Sequence, residues 1–174
     1  AYQNSKVIII SGQDVGKWVK AENVPGMQEV AKGHIWVTDM PENVDTFRTL
    51  FDGETRLTRA KSDEFTMPVN KKVKRADSQN TFYNKDRIHL RRVPFSNNEI
   101  KDWDNLSDVE VVFNPVPWNL NLIQLESVDE KNKIGYLAFE ANAMPFTNKK
   151  YSVAWMENVI DYLDEPGEWC VNTK

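Results

Sequence analysis

Two basic stretches, NKKVKRA at 70–76 and RIHLRR at 87–92, flank Phe82 and Tyr83 and are the part of this sequence best composed to hold an anion. Cations beside stacking faces make a platform for a single nucleic-acid strand or an acidic sugar. The same composition serves equally as a solvated loop followed by an edge strand blunted by charge. Asn70 to Asn80 has few apolar anchors to offset an ordering cost of roughly 1 to 2 kcal/mol per residue. Lys71, Lys72, Lys74 and Arg75 are therefore expected on a mobile surface loop, with their charge only solvating it.

Other chemistries meet stronger objections. None of the seven glycines forms a phosphate-cradling loop at a helix start. His34, His89 and Cys170 are too scattered for a zinc site, and both histidines sit among apolar residues in expected strands, where a structural histidine is the usual finding. The carboxylates of DWDNLSD at 102–108 have calcium-like spacing but lack the sharp-turn glycine and terminal glutamate of an EF-hand loop. Twenty-six acidic residues make a glycosidase-like pair easy to draw anywhere, so their abundance carries no weight. Glu165 and Glu168 flank a turn and are expected to be exposed. No catalytic residue, metal or cofactor is assigned. Among the six tryptophans, Trp103 and Trp118 stand beside polar or turn residues and are expected nearest the surface, as candidate sugar-stacking faces.

The formal charge, 22 − 26 = −4, gives no global pull towards nucleic acid or an anionic membrane, so neither is an expected partner. At 174 residues and 40% hydrophobic content, one sizeable core is expected. Cys170 has no second cysteine to pair with and reads as a small buried hydrophobe. No run of about 18 apolar residues is present. The chain lacks an initiating Met and opens onto an expected strand, Lys6 to Ser11, so it reads as processed or excised.

Positioning falls to strands and turns. KVIIISG reads as a buried strand, and GKWVK and GHIWVTDMP as short strands with Trp18 and Trp36 in the core. In FRTLFDGETRLTRA, Asp52-Gly53 predicts a type I′ hairpin turn. RIHLRRVPF predicts a strand, and Ser96 with Glu99 predicts a capping box for a short helix starting near Asn97. DVEVVFN, WNLNLIQLESV and IGYLAFE predict successive strands, with a bulge where the alternation shifts near Ile123. Val153, Met156, Val159, Ile160 and Leu163 fall at helical spacing, and Pro166-Gly167 predicts a type II turn delivering a last strand from Glu168. The fold class expected is all-β, a sandwich or barrel-like domain with two short helices.

The segment order, from ISG through LFDGETRLTRAKSDEFTMP and DWDNLSDVEVVFNPVPW to VAWMENVIDYLDEPGEWCVN, resembles secreted bacterial right-handed parallel β-helix proteins of glycoside hydrolase family 141, and more distantly family 120. Their β-helix is interrupted by an inserted β-rich domain reading LFVNGxRxxRAR, then W…VEVVF…W, then ENALELLDEPGEWYLD. The matching residues are Leu50, Phe51, Gly53, Arg56, Arg59, Ala60, Trp103, Val109 to Phe113, Trp118, Glu157, Asn158 and Leu163 to Trp169. Cys170 stands where an aromatic residue is usual, and Ser11-Gly12-Gln13 replaces Ser-Gly-Gly.

The resemblance implies a remnant β-helix strand at 1–15, an inserted domain at 16–164 and a returning strand at 165–174, with residues 6–11 lying beside 168–172. It also implies a noncatalytic accessory role in a secreted, periplasmic or surface carbohydrate-active protein, whose catalytic carboxylates sit on the β-helix groove. The implied partner is that β-helix in cis, with polysaccharide a further one. Arg59, Trp103 and Trp118 are the candidate ligand contacts. A binding module of a β-helix adhesin or autotransporter-type protease passenger is the alternative, and a free-standing hydrolase the third class.

Overall fold

Period-2 alternation organises the molecule around one sheet. The computed structural model describes residues 12–68, 88–142 and 153–174. Residues 6–11, the basic stretch 70–76 and Phe82 and Tyr83 lie outside them, as does the expected pairing of 6–11 with 168–172. β1 (Val19–Ala21) and β2 (Ile35–Val37) form a separate antiparallel ribbon, and β3 (Phe51–Asp52) and β4 (Thr55–Arg56) form a hairpin. After β5 (Thr58–Arg59) come β6 (Phe65–Thr66), β7 (Arg92–Pro94), β8 (Glu110–Val116), β9 (Asn119–Asp129), β10 (Ile134–Leu137), β11 (Val153–Glu157) and β12 (Glu168–Trp169). The main sheet is antiparallel throughout, in the order β6-β11-β8-β9-β10-β7.

One face of this sheet holds the core. Val111 and Phe113 from β8 share it with Val109, Ile123, Leu125, Leu137, Ala154 and Met156. Phe65 and Val93, from the two edge strands, belong to the same cluster, so the sheet curls around its apolar side. Burying a side chain such as Phe113 stabilises by roughly 1.5–3 kcal/mol. The all-β, barrel-like class stands, and among the described residues its helical content is short 3-10 turns.

Several local expectations are corrected. The 153–163 segment is strand β11 followed by a 3-10 turn at Ile160–Tyr162. Ala154 and Met156 enter the core while Trp155 and Glu157 face the other way, an alternation that competes with the helical spacing and wins once β6 and β8 supply hydrogen bonds. No helix starts at Asn97: Glu99 Oε2 accepts from the Asn97 N–H at 2.5 Å, and the segment bends so that Ile100, Trp103 and Leu106 reach the core. In RIHLRRVPF the described residues, from Ile88 on, are a 3-10 turn, Ile88–Arg91, leading into the short β7. The hairpin turns one residue later than expected, on Gly53-Glu54, since Asp52 pairs with Thr55 and only Gly53 has positive φ, +58°. That is the type II′ pattern, with glycine first.

Trp18 and Trp36 are exposed, not core, because the two-stranded β1–β2 ribbon has no sheet of its own to pack them under. The shift near Ile123 is no bulge. Residues 121–124 pair without a break against 110–113, and the sheet simply has apolar side chains on both faces there. The irregularities lie on either side of this stretch: Asn114 and Pro115 stand opposite Leu120 between the Phe113–Asn121 and Val116–Asn119 pairs, and Glu126 is left unmatched by the pairing of Tyr136 with Ser127 and Leu137 with Leu125.

Candidate functional site

The last strand finds its partner within the described chain. Pro166 and Gly167 make the type II turn, with Gly167 at φ +89° and the Glu168 N–H donating to the Glu165 carbonyl at 3.3 Å. Glu168 is no idle surface acid: its Oε2 accepts from the N–H groups of Asp164 and Glu165 at 3.0 and 3.1 Å and locks the turn. β12 then runs parallel to β5, the Thr58 N–H donating to the Gly167 carbonyl and the Ala60 N–H to that of Trp169, at 3.2 and 2.8 Å. The Trp169 ring stacks on Phe47 at 4.9 Å between centroids and carries the Arg59 guanidinium 5.9 Å from its centre.

Behind this junction the outward face of the sheet becomes ionic. Pairing of Glu157 with Glu110, and of Glu110 with Gln124, places two carboxylates side by side on β11 and β8. Like charges so placed need cations. Arg59, whose side chain is only 8% exposed, donates from Nη1 to Glu110 Oε2 and lies 3.5 Å from Glu157 Oε2. Arg48 reaches Glu110 from the more exposed side, Nη2 to Oε1 and Nε to Oε2, the latter at 3.3 Å. Burial pushes the Glu110 carboxyl up, but hydrogen bonds and charge from Arg48 and Arg59 outweigh it and hold the group below its ordinary range. A carboxylate so held stays ionised and is unsuited to act as a general acid.

Asn158 is the second element of the junction. Its φ is +66°, a conformation that asparagine tolerates better than most residues. Its Oδ1 accepts from the Val171 N–H at 2.7 Å, and its Nδ2 donates to the carbonyls of Val171 and Asp108 at 2.8 and 3.0 Å. The Asn158 carbonyl in turn accepts from Asn105 Nδ2 at 2.9 Å. One buried amide thus ties β11, the approach to β8 and the last residues together. Asp108, whose spacing suggested a calcium ligand, instead accepts from the Thr173 hydroxyl at 2.8 Å and from its backbone N–H at 2.8 Å.

Two cavities flank this network. One, of about 260 Å³, is lined by polar groups including Asp45, Gln124, Asn158 and Thr173. The other, of about 270 Å³, lies over Glu157 among Arg48, Arg56, Arg59 and Lys61. The three expected ligand contacts do not meet. Arg59 borders both cavities, while neither tryptophan lines either one. Trp103 is 9% exposed, correcting its expected surface position: its ring meets Tyr162 edge-on at 6.1 Å and its indole N–H donates to Asp161 at 3.4 Å. Trp118 stands at the β8–β9 turn and is 85% exposed. Glu110 and Glu157 escaped prediction as a site. Glu110 alone fell on an expected strand; Glu157 fell in the segment expected to be helical, and no local signal set the register that joins them to Arg48 and Arg59.

Cys170 is expected to be inert in the native protein. Burial pushes its thiol up to about 12, so almost no thiolate exists at pH 8. Modification by a disulfide reagent at pH 8 should be more than about a hundredfold slower than in denaturant, and equal rates would contradict the placement.

Comparisons with protein-family models, curated proteins and solved structures find none that matches this chain.

Proposed function

We propose that this chain is a noncatalytic accessory domain inserted into a secreted β-helix protein that acts on carbohydrate, supporting the β-helix and shaping one wall of its substrate groove. The observation that carries the reading is the convergence of Arg59, Ala60, Glu110, Glu157, Asn158 and Trp169. These residues come from the separate segments that bear the family resemblance, and they meet as a clamp on the chain at 168–171. A clamp of that kind sets where the chain leaves the domain. It does not supply a reactive acid and base, because Glu110 is neutralised by two guanidinium groups.

Exposed apolar side chains support a role beside another body. Trp18, Trp36, Phe51, Trp118 and Leu120 are all at least 45% exposed and offer apolar faces that a neighbouring body would cover. In this reading the body they meet is the β-helix in cis.

The 174-residue chain is expected to hydrolyse no aryl glycoside or plant glycan above the buffer rate. The coding sequence around it is expected to encode β-helix coils. Reproducible turnover abolished by one Asp or Glu substitution would overturn the noncatalytic reading, and flanks without such coils would overturn the insertion.

A further inference from the structure

We propose that the cationic groove over Glu157 binds the carboxylate of a uronic-acid unit in an acidic polysaccharide. Four cations, Arg48, Arg56, Arg59 and Lys61, line this groove of about 270 Å³. Arg48 and Arg59 are matched by Glu110 and Glu157. Arg56 and Lys61 have no carboxylate partner among the described residues, and both are exposed. They are held facing the groove by backbone pairing, Arg56 in the β3–β4 ladder and Lys61 in an isolated antiparallel bridge to Glu157. Two unmatched cations on fixed backbone over a floor already neutralised make a site for one added anion.

The kind of anion follows from what surrounds the charge. The groove is smaller than the roughly 300 Å³ at which drug-sized pockets begin, so it suits a single ring or its acidic group. A planar carboxylate matches the guanidinium fork of Arg56, with Lys61 as a point charge beside it. Phe51 stands directly across the hairpin from Arg56 and is 56% exposed, so the apolar C–H face of a pyranose can rest on its ring while the acid reaches the cations. Glu157 keeps acceptor capacity for sugar hydroxyls beyond its contacts with Trp155 and Arg59. A continuous phosphodiester needs a row of cations along its track, and among the described residues of this groove only Arg56 and Lys61 are left over from the ion pairs.

The assignment rests on the carbohydrate reading above, and the two can fail separately. Binding is measured by calorimetry on the 174-residue chain at roughly 0.15 M salt, with oligogalacturonate, its methyl ester and a single-stranded oligonucleotide as titrants. Oligogalacturonate should bind at least about tenfold tighter than the ester, and at least about tenfold tighter than it binds the variant Arg56→Ser/Lys61→Ser. Both substituted side chains are exposed, so an unchanged melting temperature is the folding control. The ester comparison needs no variant. No binding of oligogalacturonate, equal affinity for the ester, unchanged affinity in a folded variant, or an oligonucleotide bound as tightly would each overturn the assignment. Glycoside turnover by the same sample would instead strike the noncatalytic reading and leave the groove's ligand standing.

Discussion

Glu110→Ala is expected to lower the melting temperature by roughly 10 °C or more. The substitution leaves Arg59 charged, buried and stripped of its closest partner, with Glu157 at 3.5 Å as the remaining carboxylate among the described residues. Breaking a buried pair from one side costs about 3–5 kcal/mol, and a domain of this size loses about 2–4 °C per kcal/mol. The pair need not be net stabilising for this to hold. Replacing both partners, as in Arg59→Met/Glu110→Leu, removes the uncompensated charge and should recover most of the loss, while the half-exposed Arg48 turns to solvent. Urea midpoints of the two singles and the double form the cycle that measures it. A double variant as unstable as the sum of its singles would contradict the pairing.

The pH dependence follows from the same carboxylate. Its folded value lies below its unfolded one, so its stabilisation is fully present above the unfolded value, near pH 4.5, and is lost as pH falls through the lower, folded value. The wild type should therefore lose urea resistance steeply below about pH 4.5, and Glu110→Ala should lose less over that range because the loss has already been taken.

Asn158→Ala is expected to cost about 4 kcal/mol and to free the end of the chain. Three backbone groups lose their partner at once: the N–H and carbonyl of Val171 and the carbonyl of Asp108. Each buried group left unsatisfied costs about 1–3 kcal/mol. Alanine also pays to hold the +66° φ, so Asn158→Gly should be about 1 kcal/mol less damaging while still losing the amide. Hydrogen exchange separates this from general destabilisation. The Val171 amide, protected in the wild type, should exchange far faster in both variants, while core amides such as Val111 should speed up only in proportion to the loss of global stability. Uniform loss of protection across the chain would contradict a local clamp.

Much of this molecule was legible where its causes are local. Pro166-Gly167 could only make one kind of turn, because proline sets φ before glycine takes the positive angle, and the turn is where the sequence puts it. The β8–β9–β10 meander was readable from alternation and from the charged DEKNK connection. Trp118 was readable as exposed from its place in a turn. Residues 153–163 were misread because helical and pleated spacings both fit five apolar side chains, and only the neighbouring strands β6 and β8 settle which hydrogen bonds form. Trp103 looked superficial among polar neighbours, yet the bend at 96–100 turns it under the sheet, a long-range event that its own neighbours do not encode. The junction lay further out of reach. Arg59 and Glu110 are 51 residues apart, and Asn158 meets Asp108 across 50. The residue types that build the clamp and the cationic groove were determined by the sequence alone. Which of them touch was decided by the tertiary structure, because strand register, not neighbourhood in the chain, brings two carboxylates together and leaves Arg56 and Lys61 without a carboxylate match among the described residues.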